Sequence, residues 1–127
     1  MNNSSREGDK KQIILIVDDE PDICTSLTLI LRMHDYRVIT AGHGPMALEI
    51  LNATKPDLVI SDYMMPWMNG RQFILQMKSK DTMDRTPVIL MSAVDPGEPR
   101  PWDAYLRKPA DINELLATVE RLLGNAR

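Results

Sequence analysis

Three stretches of this chain are apolar without a break and rich in β-branched residues and leucine: residues 13–17 (IILIV), 58–60 (LVI) and 88–91 (VILM). A half-exposed strand alternates apolar and polar side chains, so unbroken runs of this kind mark strands covered on both faces, as in the middle of a parallel sheet. Segments of helical period lie between them. Pro21 suits a first helical position, and Ile23, Leu27, Ile30 and Leu31 recur on one face up to about Met33. A second helix is predicted over residues 46–53, where Ala47, Leu48, Ile50 and Leu51 share a face. A third opens at Gly70 and buries Phe73, Ile74 and Met77. The last carries the stripe Ile112, Leu115, Leu116, Val119, Leu122 and Leu123, with Gly124 placed to stop it. Shorter strands are predicted at residues 37–40 and 104–106. Strand and helix therefore alternate, which predicts an α/β fold: a doubly wound, five-stranded parallel sheet with helices on both faces.

One crossover breaks the pattern. Pro96, Gly97, Pro99 and Pro101 crowd the stretch between Val94 and Asp103. Proline removes a backbone donor and clashes with the preceding turn, so the fourth helix is expected to be short or absent, replaced by an extended loop or a single turn. Trp102 either plugs the space left by that helix or serves as a binding hot spot.

With 127 residues, 43% of them hydrophobic, the chain fits one globular domain that needs no staples. The domain is expected over residues 12–124, after a polar, disordered tail at 1–11 and before a short end at 125–127. That tail has no apolar core of a signal peptide, and nowhere do 18 apolar residues run together, so membrane insertion is not expected and a cytoplasmic protein is. The net charge is -3 and no basic cluster exceeds Lys10-Lys11, which leaves no electrostatic footprint for direct nucleic-acid binding. Cys24, the lone cysteine, excludes an internal disulfide and suits a reducing compartment.

The strand ends carry the chemistry. Asp18 and Asp19 follow the first run, Asp62 follows the 58–61 segment, Ser92 follows the 88–91 run, and Lys108-Pro109 follows the short stretch 104–106. Parallel strands open their carboxyl ends on one edge, so these five side chains are expected in one pocket. Such a pocket suits Mg2+, which prefers hard oxygen ligands and usually takes one or two carboxylates plus phosphate oxygens. Asp19 and Asp62 are the candidate direct ligands; Asp18 is expected to act through water, because adjacent side chains leaving a strand diverge. Lys108 offers a compact positive charge and Ser92 a hydroxyl for a phosphoryl group, which gains mainly from positioning and charge.

Four segments in order, ILIVDDEPD, DLVISDYMMPWMNG, VILMSA and YLRKP, make the chain resemble the receiver domains of two-component response regulators from Gln12 to about Leu123. The resemblance implies the flavodoxin-like, CheY-like strand order 2-1-3-4-5. It implies that Asp62 is phosphorylated from the phosphohistidine of a sensor histidine kinase or phosphotransfer protein, in a Mg2+-dependent phosphorelay reaction. Mg2+ would sit on Asp19, Asp62 and the backbone carbonyl of Met64. Ser92 and Lys108 would bind the phosphoryl group, with Ser92 and Tyr105 as the switch residues, and the Lys108-Pro109 bond would be cis. The output would pass to a downstream protein that the sequence does not name. The chain would be a signalling switch rather than an enzyme, at most catalysing its own phosphorylation and slow dephosphorylation.

Other interpretations compete. The acids could merely cap helix amino termini, and Glu20, on a first helical turn, is more simply a dipole partner than a metal ligand. His34 and His43 lack partner ligands nearby in sequence and are expected at the surface or at helix ends. A phosphorylation-independent binding module would keep the pocket unused. A flavin carrier would need a Gly-, Ser- or Thr-rich loop where Asp-Asp-Glu stands. A Mg2+-dependent phosphatase would place its acid pair in one segment.

Overall fold

A computed structural model describes residues 10–124. Five strands, β1 (Ile13–Val17), β2 (Arg37–Ala41), β3 (Leu58–Asp62), β4 (Val88–Ser92) and β5 (Ala104–Arg107), form one parallel sheet in the order β2-β1-β3-β4-β5. Among the described residues, four helices connect or follow them: α1 (Pro21–Met33), α2 (Gly44–Ile50), α3 (Gly70–Lys78) and α4 (Ile112–Leu122). The tail expected at 1–11 lies, up to residue 9, outside the described residues, as does the end at 125–127. No described helix is long and apolar enough to cross a membrane.

The unbroken apolar runs are explained by two cores, one on each face. Leu15, Val17, Val59, Val88 and Leu90 point to the face covered by α2 and α3, where they meet Ala47, Phe73, Ile74 and Met77. Ile14, Ile16, Leu58, Ile60, Ile89 and Met91 point to the other, against Leu27 and Leu31 of α1 and Leu115 and Val119 of α4. Successive residues of one strand thus serve opposite layers, so neither set can be polar.

Helix starts follow local chemistry. Asn69 and Gln72 form a reciprocal capping box at α3, Asp111 caps α4 through Glu114 N, and Gly124 turns left-handed (φ 74) after α4 ends. The second helix differs from its predicted span of 46–53. It starts at Gly44 because His43 is its N-cap, with Nδ1 accepting from Met46 N at 3.1 Å, and Pro45 fits the first turn. Ile112, predicted in the buried stripe, is half-exposed at the first position of α4.

No helix separates β4 from β5. Trp102 fills the space: it is 8% exposed and belongs to the α2/α3-side core with Phe73 and Leu90. Of the two roles open to it from the sequence, the plug is the one the fold shows.

Candidate functional site

Register sets the site. Val17 pairs with Ser61, Asp62 with Met91, and Ser92 with Arg107. Asp18 therefore leaves β1 beside Asp62, and Lys108 leaves β5 just past Ser92. A cleft of about 590 Å³ opens there, lined among others by Asp19, Glu20, Asp62, Met64, Ser92 and Lys108.

Lys108 is the electrostatic hub. Its Nζ lies 2.9 Å from Asp18 Oδ2, 3.0 Å from Glu20 Oε1 and 3.3 Å from Asp62 Oδ2. Asp18 and Asp62 are 4% and 6% exposed. Burial pushes the Asp62 carboxyl above the ordinary carboxylate range; the Asp18 charge adds to this, while Lys108 and the Tyr63 N–H, which donates to Oδ1 at 2.8 Å, oppose it. For Lys108, burial works against the charged form, but its bonds to Asp18 and Glu20 and the nearby negative charges outweigh burial and raise its pKa. Three acids against one ammonium leave a net negative centre. A hard cation would relieve it.

The carboxylates of Asp18, Glu20 and Asp62 offer oxygens within 4.8 Å of one another, a donor set suited to a hard divalent ion. Asp19, exposed, lines the cleft but is not in that group. Glu20, expected as a helix-dipole partner, also reaches the site. It occupies the N-cap of α1 without a side-chain capping bond, and its carboxylate reaches Lys108 instead. The signal for it was only positional: it stands two residues after Asp18, whose Oδ1 accepts from Glu20 N at 2.9 Å and turns the chain back toward the cleft.

Ser92, buried at the end of β4, has its Oγ accepting from Val94 N at 3.4 Å, and its carbonyl accepts from Lys108 N and from the Tyr105 hydroxyl, both at 3.0 Å. Tyr105 is half-buried against the α2/α3-side core. The Lys108-Pro109 bond is cis, as the resemblance implied. Gly70 is a positioning residue whose role the sequence hid: a Cβ there would meet the Asp62 carbonyl oxygen and Tyr63 Cα, so only glycine lets α3 start against the Asp62 loop, where Gly70 N donates to Tyr63 O at 2.7 Å. His43 packs its ring edge against Trp67 at 4.7 Å, and His34 ends α1; neither reaches the cleft. Cys24 is half-buried, its thiol donating to the Asp18 carbonyl at 3.4 Å, and burial followed by the Asp18 charge raises its pKa, which keeps it a thiol.

Residues 14–120 match the family model of the response regulator receiver domain, and the chain belongs to that family. Protein PilH of Pseudomonas aeruginosa is 34% identical over 117 residues, which cover 87% of this chain and 97% of PilH. Hybrid signal transduction histidine kinase D of Dictyostelium discoideum is 32% identical over 119 residues, covering 89% of this chain and 8% of that protein. The chain spans about half the length of several further curated relatives. Among solved structures, response regulator protein TrrA of Thermotoga maritima, in complex with Mg(2+)-BeF, superposes with a TM-score of 0.79 at 30% identity, covering 87% of this chain and 98% of that one. Receiver domains are signalling switches that pair with sensor histidine kinases.

Proposed function

We propose that Asp62 is the phosphoacceptor of a two-component phosphorelay, and that its modification changes which protein this chain binds. The observation that carries this is the placement of a buried carboxylate, raised in pKa, 3.3 Å from the Lys108 ammonium on the wall of an open cleft. An Asp62 oxygen attacks phosphorus while the P–N bond of a donor phosphohistidine breaks and its electron pair returns to the imidazole. The donor is a sensor histidine kinase or a histidine phosphotransfer protein. Asp62, Asp18 and Glu20, with Asp19 and the Met64 backbone on the cleft wall, would hold Mg2+, which supplies the charge neutralisation that lets one anion approach another. That Mg2+ and beryllofluoride occupy the TrrA structure supports the same chemistry here.

Lys108 then exchanges part of its bonding to Asp18 and Glu20 for the phosphoryl oxygens, and the Ser92 hydroxyl donates to another. Both residues are joined through the Lys108 N to Ser92 O bond, so their loops shift together. A cytoplasmic location is part of this reading: the free Cys24 suits a reducing compartment, where a sensor kinase would supply the phosphoryl group.

Incubation with Mg2+ and acetyl phosphate, followed by intact-mass measurement, tests the proposal. One phosphoryl adduct is expected on the wild type and none on Asp62→Asn. An unmodified wild type would favour a binding module that never uses the pocket; an adduct that survives in Asp62→Asn would place the acceptor elsewhere.

Met64 and Val94 are each 72% exposed on the cleft rim, and neither side chain can orient an attacking water. The phosphoaspartate is therefore expected to hydrolyse slowly. Met64→Asn adds a hydrogen-bonding group at the rim and should shorten the adduct's half-life; an equal half-life counts against this role of the rim.

A further inference from the structure

We propose that Arg71 is a positioning residue for the Asp62 site: its guanidinium clamps the Pro-rich β4–β5 connection to the segment that follows Asp62 and so holds one wall of the cleft in place. The consequence for the phosphoryl group rests on the function proposed above. The clamp itself rests on geometry alone.

Arg71 is the second residue of α3, directly after Gly70, and so is fixed relative to the Asp62 loop by the close approach that glycine permits. Guanidinium is a planar fork of five N–H donors, and here the fork is almost fully used. Nε donates to Pro99 O at 2.8 Å, Nη2 to Gly97 O at 2.8 Å and Pro96 O at 3.3 Å, and Nη1 to the Tyr63 hydroxyl at 3.1 Å. Its carbon lies 5.5 Å from the centre of the Tyr63 ring and 5.4 Å from that of Trp102, both within cation–π range. One side chain thereby touches the residue next to Asp62, the plug of the missing helix and three carbonyls of the loop.

The loop needs such a partner. A helix would satisfy its own carbonyls, but a proline-interrupted segment cannot, so its carbonyls turn to water where exposed or to a side-chain donor, as part-buried Pro96 and Gly97 do with Arg71. The remaining side-chain bonds of the segment are internal and exposed: Asp95 accepts from Gly97 N and from Arg100, which also binds Glu98. They shape the loop without fastening it. Among the described hydrogen bonds, those from Arg71 are the ones that reach the 95–101 backbone from outside.

Val94 and Pro96 of this loop line the cleft together with Met64. With the clamp in place they form a fixed apolar rim over Asp62. Without it the rim swings, and water gains a path to the phosphoryl group.

The test uses the full chain as wild type, Arg71→Ala and Arg71→Lys. In protein without phosphodonor, amide exchange in peptides spanning 93–103 should accelerate in both variants while β1 stays protected, which separates loop release from global unfolding. After phosphorylation by acetyl phosphate with Mg2+ and removal of the donor, the adduct should decay about tenfold faster in Arg71→Ala, the loss expected for one charge-assisted hydrogen bond. Arg71→Lys keeps the charge but not the fork, so it should behave like alanine rather than like wild type. Unchanged loop exchange in Arg71→Ala overturns the clamp. Unchanged adduct lifetime with a loosened loop, or full recovery in Arg71→Lys, overturns its role at the site. A wild type that takes no adduct refutes the phosphoacceptor role of Asp62, while the exchange measurement still decides on the clamp.

Discussion

Replacing Lys108 by alanine is expected to destabilise the protein by about 3 kcal/mol, because buried carboxylates lose their counter-ion. It should also slow phosphoryl transfer to Asp62 roughly 10²-fold, the usual effect of removing one preorganised donor from a developing anion. The side chain is well shielded and its contacts with buried Asp18 and Asp62 are not softened by solvent, as the one with exposed Glu20 is. A pH dependence follows. Burial and Asp18 raise the Asp62 pKa while Lys108 lowers it, so in metal-free Lys108→Ala protein Asp62 should titrate at higher pH than in the wild type. A carboxyl whose folded pKa exceeds its unfolded value destabilises the fold by ionising there. The cost is absent below the unfolded value of about 3.9 and grows as pH rises through the folded one. Lys108 itself, raised in pKa, contributes stability that is present below its unfolded value of about 10.4 and lost as pH climbs through the folded one. The variant's deficit should therefore be largest near neutrality and shrink toward acid. Urea unfolding of both proteins at neutral and acid pH checks this, and a deficit that does not change with pH would show that Lys108 acts by packing rather than by charge.

Trp102→Ala should lower stability by about 4 kcal/mol, the range for emptying a large aromatic site in a core. The indole is buried against the α2/α3-side core where a crossover helix would otherwise lie. Arg71 would lose one of its two rings as well. Trp102→Phe keeps an aromatic face and should cost less. Denaturant unfolding should show a lower midpoint with little change in slope. A Trp102→Ala protein as stable as wild type would mean that the ring is an exposed anchor for a partner, against its burial here.

Much of this arrangement was readable beforehand because it depends on neighbours in the chain. Ile13–Val17 had to be a doubly covered strand, since residues facing both layers are apolar, and Pro21 and Gly124 mark helix ends through the backbone angles they favour. The convergence of Asp18, Asp62, Ser92 and Lys108 was also legible, because parallel strands share an edge. The start of α2 was missed by two residues, since His43 is an uncommon cap. The contact of Glu20 with Lys108 is not legible, because charge alone does not show whether a side chain turns toward its helix or toward a lysine 88 positions away.

Helices on both faces of a parallel sheet, the strand ends that carry the chemistry and the loss of a helix where prolines crowd are legible in the chain alone, since each follows from period, backbone sterics or chain direction. The plug at Trp102, the entry of α3 against the Asp62 loop at Gly70 and the fastening by Arg71 of the loop that replaces a helix emerge from three-dimensional packing. Gly70 and Arg71 act on partners up to 31 positions distant through packing and through backbone carbonyls, which carry no residue identity, so the local pattern does not reveal them; for Trp102 that pattern leaves plug and binding anchor both open, and burial selects the plug.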